Sequence, residues 1–455
     1  MISISGIRGR VGESLTPDQV VKYSAAFAEL CERGPIVIGR DGRGSGKVIG
    51  NLAVSTLLSM GCDVIALGVV PTPTIQLAVE HLGTAGGISI TASHNPVEWN
   101  GLKFIGRLGL VLDAAGNHQL CSIADAGVSS YVPWNKLGRH THDESFLQKH
   151  ADLVLRLPMV KMGEIRKRRF KIVLDCVNGA GGVIIPQLLQ RMGCVVVEMN
   201  CDVSGAFAHP PEPIPENLTS LCTRVCEEKA DLGVAVDPDG DRLVLITERG
   251  EPYGEENTIA SVVKFVLAHN RKNNSSQNPR VVVNLSTTRA VDDIAREEGA
   301  EVIRTPVGEI NVAQAMKKYS AIVGGEGSGG VILPALHHGR DAIVGICLVL
   351  QQLTEFGGTL SQLKSSLPQY SIVKSKISIS DGNIDRLWRK LSTDHSGNGS
   401  VNTDDGLKLD FPDSWIHLRK SNTEPIVRII AEAATRGEAE KLIEKFKSHI
   451  SQTIT

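Results

Sequence analysis

The chain has 455 residues, too many for one compact core, and three or four domains of ordinary size are expected. Its 48 basic and 50 acidic residues leave a formal net charge of −2, which offers little to a nucleic-acid polyanion or a membrane surface and points to small-molecule partners. No apolar run approaches the length of a bilayer span, and Met1–Ser5 lacks a basic stretch followed by an apolar one, so a cytoplasmic protein is expected.

Thr16-Pro17 opens the first predicted helix, with Gln19 placed to close a capping box and Gly34 ending it. A strand at Ile36-Val37-Ile38 follows, then a polar turn from Gly39 to Ser45, an amphipathic helix over Lys47–Met60 and a second strand over 61–66. Another helix is predicted over Thr74–His81. The apolar run Gly87-Ile88-Ser89-Ile90 then reads as a buried strand leading into Thr91-Ala92-Ser93-His94-Asn95-Pro96, where Pro96 stops extended pairing. Ser93 is thereby set at the carboxyl end of a strand, where open α/β sheets bind ligands. A serine hydroxyl is a weak nucleophile without a base, a metal or an attached phosphoryl group, and taken alone this loop also reads as a capped turn.

The same order of elements recurs twice. Lys171–Asp175 is a strand, Asn178–Gly182 a turn, Val183–Met192 a helix and 193–197 a strand; after another helix comes the strand Leu232–Val236. The third copy uses Arg280–Leu285, a helix over Thr288–Glu298, and strands at 299–303 and 321–323. Three βαβαβ units thus stand in tandem, and their closing strands run into the Ser93 loop, into Asp237-Pro238-Asp239-Gly240-Asp241-Arg242 and into Gly324–Gly330. If the units face one cleft, these loops meet in it. The nine cysteines are an odd number, with Cys62, Cys176 and Cys194 inside apolar strands, which argues against a disulfide framework. Cys222 and Cys226, one helical turn apart, read as helix packing rather than zinc ligands.

The last part departs from the repeat. Tyr370–Ser380 alternates like a strand, Ser392–Asp405 reads as a polar hairpin or loop, Trp415–Leu418 and Ile426–Ala431 are further strands, and a helix over Gly437–Ile450 closes the chain. Arg419-Lys420-Ser421-Asn422-Thr423-Glu424-Pro425 falls on an inter-strand loop. The expected fold is α/β: three tandem βαβαβ-type domains with mixed sheets, 1–140, 141–247 and 248–367, and a smaller α+β domain, 368–455, around a central cleft.

Asp237, Asp239 and Asp241 alternate, so in an extended loop their carboxylates point the same way and can clamp one hard cation such as Mg²⁺ or Ca²⁺. Acids this close repel one another unless a cation is present. With Glu248 they also fit the first, third, fifth and twelfth positions of an EF-hand loop. The sixth position, however, is Arg242 where glycine is needed, and both flanks read as strands rather than helices. A purely structural acidic turn remains the alternative.

On Ser5-Gly6-Ile7-Arg8-Gly9, Thr91–Pro96, Asn100-Gly101-Leu102-Lys103-Phe104, Asp237–Arg242, Gly325–Gly330 and Arg419–Pro425, in this order and spacing, the whole chain resembles the α-D-phosphohexomutases. That family includes phosphoglucomutase, phosphomannomutase and phosphoglucosamine mutase. The resemblance implies a Mg²⁺-dependent isomerase that interconverts hexose 1-phosphate and hexose 6-phosphate through a phosphoserine and a bisphosphorylated sugar. Glucosamine phosphate is the first choice of sugar, and mannose or glucose phosphate the second. The resemblance further implies that Ser93 carries the phosphoryl group and joins Asp237, Asp239 and Asp241 around one Mg²⁺. Glu326 and Ser328 would read the sugar, and Arg419, Ser421, Asn422 and Thr423 would hold the non-reacting phosphate. Arg8 and Lys103 would neutralise developing charge or pass protons, with His94 beside the serine as a further catalytic candidate. Arg242 and Arg428 are expected to bind substrate, while Arg43 either assists or forms a structural ion pair. This chain has Gly330 and Glu309 where some members carry histidine, so a histidine proton relay is not expected there. A rival reading is a non-catalytic sugar-phosphate-binding paralogue, against which the intact Ser93, Lys103 and three aspartates argue. The expected partners are a hexose phosphate and a hexose bisphosphate, bound by a monomer or homodimer.

Overall fold

In the computed structural model, which describes residues 2–3, 6–128, 130–273, 278–378, 384–395, 399–420 and 426–454, three successive segments build one recurring sheet. The strands of the first are β1 (Ile2–Ser3), β2 (Gly6–Arg10), β3 (Ile36–Arg40), β4 (Val64–Val69), β5 (Gly86–Ile90), β6 (Trp99–Gly106) and β7 (His140–His142). They take the order β1-β2-β6-β5-β3-β4-β7, with helices α1 (Pro17–Leu30), α2 (Gly46–Ser59), α3 (Thr72–Leu82) and α4 (Ala114–Ala126). The second segment adds α5 (Phe146–Leu155), α6 (Met162–Arg168), α7 (Ile185–Arg191) and α8 (Thr219–Glu228). Its strands β8 (Lys171–Asp175), β9 (Val195–Met199), β10 (Leu232–Val236) and β11 (Leu243–Thr247) are ordered β11-β10-β8-β9. The third has α9 (Glu255–Lys272), α10 (Ala290–Glu297), α11 (Glu309–Tyr319), α12 (Ala342–Phe356) and α13 (Leu360–Ser365). Its strands β12 (Arg280–Asn284), β13 (Glu301–Thr305), β14 (Val323–Glu326) and β15 (Gly330–Ile332) are ordered β13-β12-β14-β15.

In each sheet the first strand of the repeat lies between two parallel neighbours, β3 between β4 and β5, β8 between β9 and β10, β12 between β13 and β14. An antiparallel strand follows on the outer side, β6, β11 or β15. One crossover leaves the central strand for one side and the next returns to the other, so a crevice opens at the carboxyl ends of β5, β10 and β14. The short links from these strands into their antiparallel neighbours hold Ser93, the three aspartates and Ser328. β5 and β10 are buried along their whole length, which is why they read as continuous apolar runs rather than alternating ones.

The second and third sheets share a core, in which Val234, Leu245, Val281 and Val323 pack with Ile259 and Val263 of α9 and Ile346 and Leu350 of α12. The fourth segment forms the antiparallel sheet β16-β20-β19-β18-β17 from β16 (Ser371–Ser378), β17 (Ser400–Asn402), β18 (Leu407–Asp410), β19 (Trp415–Lys420) and β20 (Ile426–Ala433). Helices α14 (Ile384–His395) and α15 (Arg436–Ile454) cover one face, where Leu387, Leu391 and Phe446 pack on Leu409, Ile416 and Ile429. On the opposite face Arg419 and Ile430 line the cleft, and His417 is buried against Ser286 of the third segment.

The α/β class, the threefold repeat and the α+β fourth domain are as the sequence predicts. Several local expectations differ. Thr16 does sit at the N-cap of α1, but its side chain makes no cap hydrogen bond, and the helix ends at Leu30 rather than near Gly34. The polar stretch after Ser392 begins as helix: Ser392–His395 complete α14, because burial of Leu387 and Leu391 against the sheet outweighs polar composition, while Ser400–Asn402 form β17 and pair with β18 as the expected hairpin. The boundary expected at 140 passes through β7, which pairs with β4 and so extends the first sheet. Among the described residues no helix is long and apolar enough to cross a membrane.

Candidate active site

Ser93 has φ +50°, in the left-handed region that a residue with a Cβ adopts only when its surroundings enforce it. Arg43, fully buried, does the enforcing. Its Nε donates to Asp41 Oδ2 at 3.0 Å, its Nη1 to the carbonyls of Pro96 (2.6 Å) and Trp99 (3.1 Å), and its Nη2 to those of Ser93 (2.5 Å) and Asn95 (2.7 Å). Asp41 also accepts the Thr91 hydroxyl at 2.7 Å, and Thr91 Oγ1 accepts the Ser93 N–H at 2.9 Å. A planar guanidinium with five donors suits such a cradle, and Arg43 is therefore a structural clamp of the serine loop.

The Ser93 hydroxyl donates to Asp237 Oδ2 at 3.0 Å and lies 3.2 Å from His94 Nδ1. Asp239 Oδ2 accepts from Lys103 Nζ (2.6 Å) and from the Thr72 hydroxyl (2.7 Å), and Asp241 Oδ2 is 3.3 Å from Lys103 Nζ. One carboxylate oxygen from each of Asp237, Asp239 and Asp241 falls within 4.8 Å of the others. Asp239 Oδ1 and Asp241 Oδ1 are buried without a hydrogen-bond partner among the described residues. An all-oxygen set with orphaned buried oxygens fits a hard divalent cation. Burial, with repulsion from Asp241 and Asp239, pushes Asp237 well above the usual carboxylate range. Burial acts on Asp241 in the same sense, but Arg340 and Lys103 outweigh it and hold that carboxyl below its ordinary value. Burial alone would lower Lys103, yet Asp239 and Asp241 keep it above. His94 is pushed down to about 3 by burial and then by Arg242 and Arg8, so its imidazole is neutral at neutral pH.

A cleft of about 400 Å³ opens over these loops and is walled by all four domains. Arg8, Ser93, His94 and Lys103 line it from the first, Arg242 from the second, Glu256, Glu309, Glu326, Ser328 and Arg340 from the third, and Lys374 and Arg419 from the fourth. Arg419 Nε lies 2.8 Å from Asp405 Oδ2. Arg428 stands directly opposite Arg419 in the β19–β20 register but is exposed and not among the cleft-lining residues. Ser421, Asn422 and Thr423 lie outside the described residues.

Sequence reasoning missed Arg340. Its Nη2 donates to Asp241 Oδ2 and its Nη1 to Glu326 Oε2, both at 2.7 Å, and its Nε is 3.5 Å from Glu309 Oε2. One buried guanidinium thus joins the aspartate loop to the loop expected to read the sugar. Glu326 Oε1 is taken up in turn by Asn284 Nδ2 (2.9 Å) and the Gly308 N–H (3.0 Å). The next residue fixes Arg340 in place: Asp341 caps α12, accepting the Ile343 and Val344 N–H groups, and its Oδ2 meets His150 Nε2 at 2.9 Å and His337 Nε2 at 3.2 Å. His150 Nδ1 is 2.9 Å from the Thr74 hydroxyl, so the cap ties α3 and α5 to α12. An acid ahead of the apolar run Ala342–Leu350 is a helix-start signal that could have been read; the partners of Arg340 could not.

Asp341→Asn is expected to lower the unfolding free energy by about 2–3 kcal/mol, since the hydrogen bonds from His150 and His337 lose their carboxylate acceptor while asparagine can still cap α12. Burial would raise this carboxyl, but His150 and the hydrogen bonds from both histidines outweigh it and hold it below its ordinary value. Its stabilisation is therefore complete above about pH 4 and lost as pH falls through the depressed folded value. Urea unfolding of both proteins between neutral and acidic pH should show the difference shrinking toward the acid end.

Residues 3–129, 148–250 and 256–370 match the alpha/beta/alpha domains I, II and III of phosphoglucomutase/phosphomannomutase, and residues 383–449 match its C-terminal domain. The chain is 35% identical over 444 residues to a probable phosphoglucosamine mutase of Methanopyrus kandleri, covering 97% of this chain and 96% of the relative. It is 36% identical over 446 residues to a phosphoglucomutase/phosphomannomutase of Thermococcus kodakarensis, with 96% of each covered. The crystal structure of a phosphoglucomutase/phosphomannomutase family protein from Burkholderia thailandensis superposes with a TM-score of 0.86 at 26% identity, over 99% of this chain and 98% of that one. With the four domains in family order, the chain belongs to the phosphoglucomutase/phosphomannomutase family, the α-D-phosphohexomutases, and is a mutase of the isomerase class.

Proposed function

We propose that the protein is a Mg²⁺-dependent phosphoglucosamine mutase of the cytoplasm, with Ser93 as its phosphoryl carrier. The observation that carries this reading is the strained Ser93, its hydroxyl 3.0 Å from Asp237 beside the orphaned oxygens of Asp239 and Asp241, at the floor of a four-domain cleft. Mg²⁺ held by Asp237, Asp239, Asp241 and the Ser93 oxygen would supply charge neutralisation at the phosphoryl group. Lys103 shares its protons with Asp239 and Asp241 and so lowers the net negative charge that an incoming phosphate meets. Arg8 and Arg242 place further positive charge in the same wall. Arg419 faces the cleft from the fourth domain, where it can grip the phosphate that is not reacting. Ser421, Asn422 and Thr423 follow it in the chain and belong to the same proposed grip, with Arg428 beside it. Glu326, fixed by Arg340, Asn284 and Gly308, and Ser328 present the sugar-reading surface.

Glucosamine phosphate is preferred because the Methanopyrus relative is named a probable phosphoglucosamine mutase; the Thermococcus relative supports mannose and glucose phosphates as the second reading. The test is a coupled assay with glucosamine, glucose and mannose 1-phosphates, with and without Mg²⁺, on protein whose intact mass has been measured. The expected result is one phosphoryl group on Ser93, fastest turnover with glucosamine 1-phosphate, and a loss of roughly 100-fold or more on chelation. Protein that interconverts none of the three sugars would overturn the reading.

A further inference from the structure

We infer that Glu256 is the carboxylate that recognises the amino group of an amino-hexose phosphate in this cleft, and so sets the preference among sugars; this rests on the mutase reading above. The two other acids that line the cleft, Glu309 and Glu326, each already have the Arg340 guanidinium as a fixed cation partner. Asp239 and Asp241 are held by Lys103 and Arg340, and both oxygens of Glu326 are engaged by Asn284, Gly308 and Arg340. Glu309 accepts the Arg340 N–H at 3.1 Å and Gln76 Nε2 at 3.3 Å, and its other oxygen faces Arg340 Nε. Glu256, in the first turn of α9, accepts one backbone N–H, that of Thr288, at 2.9 Å through Oε2. Lys374, which faces it from β16, is paired with Glu255 at 3.2 Å. The remaining charges that act on it, Glu255 on its own helix and Glu432 on β20, are acidic.

Position supports the same role. The carboxylate lies flat against Gly327, between Glu326 and Ser328: a Cβ on Gly327 would come within 2.1 Å of both its oxygens. Glycine is needed there so that Glu256 can reach over the sugar-reading loop. Burial pushes the Glu256 carboxyl up to about 8, as befits an acid without a fixed counter-ion. An ammonium group brought by the substrate provides that counter-ion, whereas a neutral hydroxyl provides only a hydrogen bond. The cleft cations Arg8, Lys103, Arg242, Arg340 and Arg419 suit phosphate and would repel an amine, and Lys374, the one cation near Glu256, is paired with Glu255.

The experiment compares wild type, Glu256→Gln and Glu256→Asp, each purified with Mg²⁺, on glucosamine 6-phosphate and glucose 6-phosphate. Glutamine keeps the volume and an acceptor for the Thr288 N–H, so the fold should be retained. The ratio of kcat/KM for the amino sugar to that for glucose 6-phosphate should fall on the order of 30-fold in Glu256→Gln, and much less in Glu256→Asp, which keeps the charge. Calorimetric binding of the same two sugar phosphates should show the same loss of amine preference without depending on turnover. A ratio and a relative affinity that stay within about threefold of wild type overturn the inference. So does a wild-type enzyme that turns over glucose phosphate and does not bind glucosamine 6-phosphate, a result that would leave the mutase reading standing. Absence of turnover on any sugar, with amine-selective binding that Glu256→Gln abolishes, would sink the mutase reading and leave the recognition assignment in place.

Discussion

Ser93→Ala is expected to reduce hexose phosphate interconversion by about 10⁴-fold or more, the largest effect of any single substitution in the cleft. The reason is chemical rather than architectural. The reaction proposed here parks a phosphoryl group on the Ser93 oxygen between two transfers, and alanine has no atom to receive it. The loop itself should survive, because Arg43 binds the carbonyls of residues 93, 95, 96 and 99 and not the serine hydroxyl. What alanine removes from the resting protein is the 3.0 Å hydrogen bond to Asp237 and the 3.2 Å contact with His94 Nδ1, in a set of acids that still has Lys103 and Arg340 as counter-ions. The thermal midpoint should therefore move by only a few degrees, on the order of 1 kcal/mol. Intact mass should show no phosphoryl group on the variant, and the coupled assay should find a rate at background. Turnover near that of wild type would rule out Ser93 as the carrier.

Arg43→Lys is expected to lower kcat by about 10²–10³-fold while leaving KM within a few-fold, because it misplaces the reacting serine without touching the residues that hold substrate. An ammonium is a point charge that reaches one or two of the acceptors a guanidinium fork serves together. The Ser93 carbonyl left over is buried, and of the bonds that hold the loop backbone at φ +50° only that from the Ser93 N–H to the Thr91 hydroxyl remains at this residue. Asp41, buried against Arg43, would lose its bonded Nε donor, and weakening a buried ion pair from one side costs about 3–5 kcal/mol. Two measurements separate the effects: urea unfolding for stability, and intact mass for Ser93 phosphorylation, which should fall with turnover. Wild-type kcat in Arg43→Lys would show that the loop holds its shape without the guanidinium.

Much of the repeat can be read in the residues because its signals are local. Leu232–Val236 is apolar throughout and followed by a turn, and the carboxylates of Asp237, Asp239 and Asp241 alternate; both facts concern neighbours a few residues apart. Ser93 at the carboxyl end of β5 follows from the same kind of evidence. The partners of Arg340 do not, since it reaches Asp241 across 99 positions of chain and its sequence neighbours carry no trace of that contact. Arg43 is equally ambiguous from sequence, an assisting residue as readily as a structural ion pair, until the sheet brings Pro96 and Trp99 over it. α14 runs on into a stretch rich in polar residues because Leu387 and Leu391 find a sheet to cover. Periodicity and turn chemistry act within a few residues, so they determine strands, helices and the loops between them. Which side chains share a cleft depends on how four domains dock, and here the shared core between the second and third sheets and the face left open by the fourth decide that Glu256, Glu326, Arg340 and Arg419 line the same space as Ser93.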